Sequence, residues 1–248
     1  MKARDRVVGS SALAGGQQVT GCQSCQAVLQ RARQPCVGAP VAVREQLREF
    51  AWVREQRRFR WQMTSDAFEV GIAESNMVSV AAGFSKQGYI PVVDTFAQFG
   101  VTKGLLPLCM ANLSQAPVIA AYSHTGFQDA ADGASHQGLM YLAMTGSVPH
   151  TVTYSPASAE EAEWAMGEAI SRFAAARKAG KMPESVIFFC GRENFPVSLK
   201  PAGASYAWGK AMVVAGDPAK PGVVISANGS MVDAAVKAAA KLAAAGVN

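Results

Sequence analysis

The chain has 248 residues, half of them hydrophobic, with 23 Gly and a formal net charge of +5. This composition excludes a disordered chain and suits a compact α/β protein of one large domain or two smaller ones. No run reaches the roughly 18 uninterrupted apolar residues of a membrane span. No long apolar core follows the charged start Met1-Lys-Ala-Arg-Asp-Arg6, so neither a membrane anchor nor a signal peptide is expected.

The positive charge is uneven. Residues 1–62 carry 11 Lys+Arg against 4 Asp+Glu, and the remainder carries 12 against 14. Global charge therefore gives little support to a nucleic-acid function. The first quarter also holds nine of the 14 Gln and three of the five Cys. It has no sustained apolar periodicity. Residues 41–59 could form a charged helix, and residues 6–11 a short strand and turn. Three readings stay open for this segment: a basic arm for nucleic acid or an acidic partner, an ordinary capping segment, or out-of-frame translation of a GC-rich gene. Cys22-Gln-Ser-Cys25 with Cys36 is a weak metal or redox signal, because no fourth ligand follows at zinc spacing. The odd cysteine count, with Cys109 and Cys190 in apolar runs, points to reduced thiols and a cytoplasmic protein.

From residue 66 the pattern turns α/β. Residues 74–87 predict a helix closed by Gly88, with Glu74, Ser75 and Asn76 in its first turn. Residues 89–96 read as a buried strand. Residues 97–112 read as a second helix, weakened by Gly100, Gly104 and Pro107. A strand over 117–122 leads into a polar, Gly-containing loop, and 136–145 is expected to be helical. A strand over 151–154, an amphipathic helix over 158–178 with a capped start at Ser158, and a strand over 185–190 follow. Strands alternating with helices predict an α/β fold with a mostly parallel sheet and helices on both faces. Residues 201–208 read as a linker. Residues 211–215 and 222–227 read as a strand pair feeding a helix over 231–245, a truncated second α/β unit. The expected division is thus 1–62, 63–200 and 201–248.

In an open parallel sheet, ligands bind beyond the carboxyl ends of the strands. The strand over 89–96 delivers Asp94, Thr95, Phe96 and Phe99 there. The next delivers His124, and its loop brings Asp132 and His136. The last delivers Arg192, Glu193 and Asn194. Glu74 opens the helix beside them. Two of the three His fall in one polar loop, which argues against core histidines and leaves exposed loop histidines as the simpler alternative. A zinc site from His124, His136 and Asp132 lacks helix-face spacing and any Cys. No nucleophile elbow, P-loop or G-x-G-x-x-G stands at a strand-to-helix turn. Glu74 alone reads first as a helix-start residue, with a buried catalytic carboxylate as the alternative.

Four stretches in order resemble the transketolase family of thiamine-diphosphate enzymes. Phe68-Glu-Val-Gly-Ile-Ala-Glu74-Ser-Asn-Met is similar to the segment that carries the cofactor-activating glutamate. Asp94-Thr-Phe96-Ala-Gln-Phe99 resembles its aromatic patch, Ser123 to Gln137 its substrate loop, and Gly191-Arg192-Glu-Asn-Phe its phosphate-gripping segment. The resemblance covers about residues 66–200, the pyrimidine-binding domain, and runs into the start of the C-terminal domain.

The resemblance implies roles for these residues. Glu74 would hydrogen-bond the aminopyrimidine nitrogen N1′, and Phe96 and Phe99 would flank that ring. His124 and His136 would bind substrate oxygens and move protons, Asp132 would bind a sugar hydroxyl, and Arg192 would grip phosphate. The implied reaction is transfer of a two-carbon ketol unit between sugar phosphates. The family's Gly-Asp-Gly…Asn diphosphate signature is not found, and Gly216-Asp-Pro is not that motif. A diphosphate-binding domain or subunit, holding Mg²⁺ or Ca²⁺, is therefore the expected partner, in a homodimer or heterotetramer. The phosphate-binding arginine and serine of the family's early segment cannot be assigned in residues 1–62. The middle of the substrate loop, Phe127-Gln-Asp-Ala-Ala, also departs from the commoner loop. Family alternatives are a 1-deoxyxylulose-5-phosphate synthase or a 2-oxoacid dehydrogenase β subunit. The alternative from another class is a non-catalytic binding module with a basic arm.

Overall fold

The computed structural model describes residues 26–31, 67–127, 132–192, 194–220 and 222–247, with backbone alone at 26–31 and 67–69. The expected strand near Arg6, the helix over 41–59, Cys22, Cys25, Cys36 and Glu193 lie outside the residues or side chains described. Six strands form one sheet in the order β2-β1-β3-β4-β6-β5. Four of them run parallel: β3 (Tyr89–Phe96), β4 (Ile119–Ser123), β5 (Thr151–Tyr154) and β6 (Ser185–Phe189). β1 (Gln26–Arg31) pairs antiparallel with β3 on one side and with the three-residue β2 (Ala67–Glu69) on the other. β1 lies in the arginine-rich segment, where the sequence shows no strand-like period.

The side-chain period of two divides the core between the faces. Val93, Val118, Ala120, Tyr122, Ile187 and Phe189 pack with Met77, Val78, Val101 and Leu108. Those last four belong to α1 (Glu74–Lys86) and α2 (Ala97–Leu113). Ile90, Val92, Ile119, Val186 and Phe188 pack on the other face with Ala165, Met166, Ile170 and Phe173. These four belong to α4 (Ala159–Lys178). Helices thus cover both faces, as a buried parallel sheet requires.

The start of α4 is a capping box. Ser158 Oγ accepts from Glu161 N, and Glu161 reaches back to accept from Ala157 N and the Tyr154 hydroxyl. At its other end Arg177 donates to the carbonyls of Ser85 and Tyr89 at 2.6 Å, tying α4 to α1 and β3.

α2 stays helical through Pro107. Proline cannot donate to the carbonyl four residues earlier, that of Lys103. The Ser75 hydroxyl of α1 donates to that carbonyl instead, at 2.5 Å.

Two expectations are corrected. Residues 136–145 are not one helix: a 3-10 turn (Ala134–His136) precedes the short α3 (Tyr141–Thr145). Gln137 is extended between them, because Gly138 is pressed against α2; a Cβ there would lie 3.2 Å from Ala97 Cβ. Residues 211–215 and 222–227 form no strands. Val213, Val223 and Val224 stay more than half exposed. A lone strand pair needs a sheet to join, and neither run pairs with the sheet's edge strands, β2 and β5. The helix that follows, α5 (Met231–Ala244), forms as expected but buries no residue. Among the described residues, no helix is long and apolar enough to cross a membrane.

Candidate active site

Glu74 is the first residue of α1 and only 7% exposed. No side chain caps this helix start, so the carboxylate sits at its partially positive end. Below it, Thr95 Oγ1 donates to Glu74 Oε1 at a long 3.5 Å. Thr95 is fully buried and leaves β3 on the α1 face.

Asp94 leaves the opposite face. Desolvation pushes its carboxyl up to about 8, and this carboxyl helps burial to push the Cys190 thiol up to about 12. Asp94 therefore does not join Glu74.

Phe96 ends β3, and Phe99 lies in the first turn of α2, with ring centroids 6.4 Å apart. His124 follows β4 directly and stacks on Phe96 with centroids at 3.8 Å. Its φ is +57°, a left-handed conformation that costs a non-glycine residue energy and recurs at functional sites. Ser123 Oγ lies 2.8 Å from His124 Nδ1 and helps orient the ring. His136 comes from the far end of the loop. Its ring meets Phe99 edge-on at 4.9 Å and Phe96 at 6.0 Å. The loop is closed by a bond from Gly126 N to the Gly138 carbonyl, 3.0 Å long. The close approach of Gly138 to α2 sets His136 beside Phe99.

The structure thus gathers Phe96, Phe99, His124 and His136 in one cluster at the carboxyl edge of β3 and β4. Glu74 is joined to that edge through Thr95, the neighbour of Phe96. Arg192, half-buried, follows β6, the next strand along the same edge, and Asp132 is exposed in the loop. The sequence reading missed Tyr122, whose hydroxyl lies buried below α1. The signal for it was present: Gly100 and Gly104, four residues apart on one helix, mark a slot for a large side chain.

A parallel α/β domain with a buried carboxyl at a helix start, and aromatic and imidazole rings at the strand ends, has the makings of an organic-cofactor enzyme. The chain belongs to the transketolase pyrimidine-binding-domain family, whose model, "Transketolase, pyrimidine binding domain", matches residues 3–195. The match includes the arginine-rich first quarter. Membership in this family implies use of thiamine diphosphate.

The chain is 33% identical over 140 residues to "Transketolase-like protein 2" of Homo sapiens, covering 56% of this chain and 22% of that protein. It is 35% identical over 107 residues to a "1-deoxy-D-xylulose-5-phosphate synthase" of Syntrophus aciditrophicus, covering 42% of this chain and 16% of that protein. A solved structure described as "Split gene transketolase, inactive beta4 tetramer" superposes with a TM-score of 0.54 at 27% identity, over 73% of this chain and 54% of that one. The chain therefore spans about a fifth of the length of these curated relatives.

Proposed function

We propose that this chain is the pyrimidine-binding part of a transketolase-type transferase and moves a two-carbon ketol unit between sugar phosphates together with a diphosphate-binding partner. The observation that carries this reading is Glu74: a carboxyl buried at a helix start and hydrogen-bonded by Thr95, the residue before Phe96 of the Phe96–Phe99–His124–His136 cluster. This donor set fits the aminopyrimidine half of thiamine diphosphate. A buried carboxyl suits a ring nitrogen with which it can share a proton, and the phenyl rings offer apolar faces. When bound, the cofactor supplies an electron sink for the ketol carbons.

The chain's own part is to position and protonate. Glu74 would hold a proton at the pyrimidine nitrogen. His124 and His136 would hydrogen-bond substrate oxygens and pass protons, and their contacts to Phe96 and Phe99 hold the imidazoles in place. Arg192 would pair with a phosphate, and Asp132 with a hydroxyl. Among the described residues, no group of three His, Cys, Asp or Glu side chains could hold a metal ion. We assign Mg²⁺ and the diphosphate to the partner because the sequence carries no Gly-Asp-Gly…Asn signature.

An open groove between α1 and α2 supports a partner at this site. It is lined by Ser75, the residue after Glu74, and by Lys86, Lys103, Leu106 and Met110. Leu106 is 73% and Met110 55% exposed, an apolar strip with basic residues on its rim. The split-gene neighbour, described as an inactive tetramer of β chains, supports the same dependence.

The test is complementation. The chain alone should give no ketol transfer, and addition of the diphosphate-binding half of a split transketolase, thiamine diphosphate and Mg²⁺ should give it. A 1-deoxy sugar phosphate as the sole product would favour the synthase type, which the likeness to 1-deoxy-D-xylulose-5-phosphate synthases makes the second reading.

A further inference from the structure

The pocket below Glu74 holds a second polar group. Tyr122 stands in register with Thr95 on the neighbouring strand, on the same face of the sheet, and is 1% exposed. Its ring fills a slot in α2. A Cβ on Gly100 would lie 2.6 Å from that ring, and one on Gly104 would lie 3.4 Å from the hydroxyl. The same point on Gly104 is 3.9 Å from the Glu74 backbone carbonyl and 3.2 Å from Val78, so the hydroxyl and the first turn of α1 both border Gly104.

The Tyr122 hydroxyl is buried and makes no hydrogen bond. A phenylalanine would fill the slot without the cost of desolvating a hydroxyl, so packing alone does not call for tyrosine. Burial, and after it the Glu74 charge, hold the phenol well above its ordinary range. Meanwhile the Thr95 bond to Glu74 is long enough to be given up.

We propose that Tyr122 is a positioning residue for Glu74: its hydroxyl stands ready to donate a hydrogen bond to the Glu74 carboxylate when that carboxyl turns to the cofactor's ring. This rests on the reading of Glu74 as the cofactor-facing carboxyl. The proton stays on the phenol. Its task is to fix one carboxylate oxygen so that the other faces the pyrimidine.

The test uses the complemented enzyme with thiamine diphosphate bound, the five tyrosines of this chain labelled with ¹³C at Cζ. Tyr122→Phe assigns one resonance. Glu74→Gln should shift that resonance and leave the other four in place. Tyr122→Phe should melt at the same temperature as wild type or higher. In the complemented enzyme it should lose about tenfold in kcat, the size of one lost hydrogen bond, with KM for thiamine diphosphate changed much less. A Tyr122 resonance that ignores Glu74→Gln overturns the proposal. So does a lower melting temperature with full kcat, which would make the hydroxyl purely structural. Full activity in Glu74→Ala would instead remove the reading beneath the proposal. The two failures are told apart by the resonance, which would then still move.

Discussion

Thr95 and Asp94 are chain neighbours that β3 sends to opposite faces, and their environments make opposite demands. Thr95 is neutral and reaches Glu74. Asp94 is half-buried, and desolvation lifts its carboxyl to about 8 from an ordinary 3.8. Between those values the folded chain keeps a proton that the unfolded chain gives up. Its contribution to stability therefore falls as pH rises through that window. The urea midpoint of wild type should drop between pH 5 and pH 8, and Asp94→Asn should flatten that drop; equal slopes would show that Asp94 titrates normally. Asp94 also bears on Cys190, whose raised thiol holds little thiolate at neutral pH. Cys190 should react with iodoacetamide far more slowly than free thiol, as peptide mapping after a timed quench would show. At this scale the sequence was partly legible. It placed Phe96, Phe99, His124 and His136 at strand ends, and they do meet. It could not show that His124 adopts a left-handed backbone, which follows from packing between elements distant in sequence; for Tyr122 it held only the Gly100–Gly104 slot, not the side chain that fills it.

Elements here are joined by a few buried polar side chains. Asn112, near the end of α2, donates to the Pro149 carbonyl at 2.8 Å and to Thr151 Oγ1 at 2.9 Å. It accepts from Ser185 Oγ at 2.6 Å, and Ser185 Oγ in turn accepts from Val118 N. One residue thus ties α2 to β4, β5 and β6. Asn112→Ala strands several buried groups and should cost about 2–4 kcal/mol in urea unfolding. The cap at Ser158 is a smaller matter: Ser158→Ala should cost about 1 kcal/mol, and a loss near zero would show that Glu161 satisfies the helix start unaided. Helix and strand periods made most elements legible, since Ile90, Val92 and Val93 divide between the faces as the alternation requires. Pro107, Gly100 and Gly104 weaken the sequence case for α2, because local rules make them helix breakers, yet the expected helix forms through them. Their use is tertiary: the proline frees a carbonyl for Ser75, and the glycines admit Tyr122. The apolar runs at 211–227 did mislead. They satisfy a strand pattern, yet neither run pairs with an edge strand of the sheet.

At the scale of the whole molecule the chain matches the pyrimidine-binding domain of its family over residues 3–195. The described residues offer a carboxyl, rings and imidazoles, to which we assign a pyrimidine and a polyol. We assign the diphosphate and its metal to another polypeptide, which would cover the groove beside Ser75. If so, charge on that groove should weaken the complex without disturbing the fold. Leu106→Asp should leave the melting temperature within about 2 °C, as surface changes usually do, and should lower the affinity for the partner in titration calorimetry. Unchanged affinity would place the partner elsewhere. The central claim rests on Glu74. The most direct test is ketol transfer by the complemented enzyme with thiamine diphosphate and Mg²⁺, comparing wild type with Glu74→Ala. The account predicts activity for wild type and a loss of at least about 100-fold for the variant, the usual worth of a general acid–base group. Equal activity in the two would contradict it.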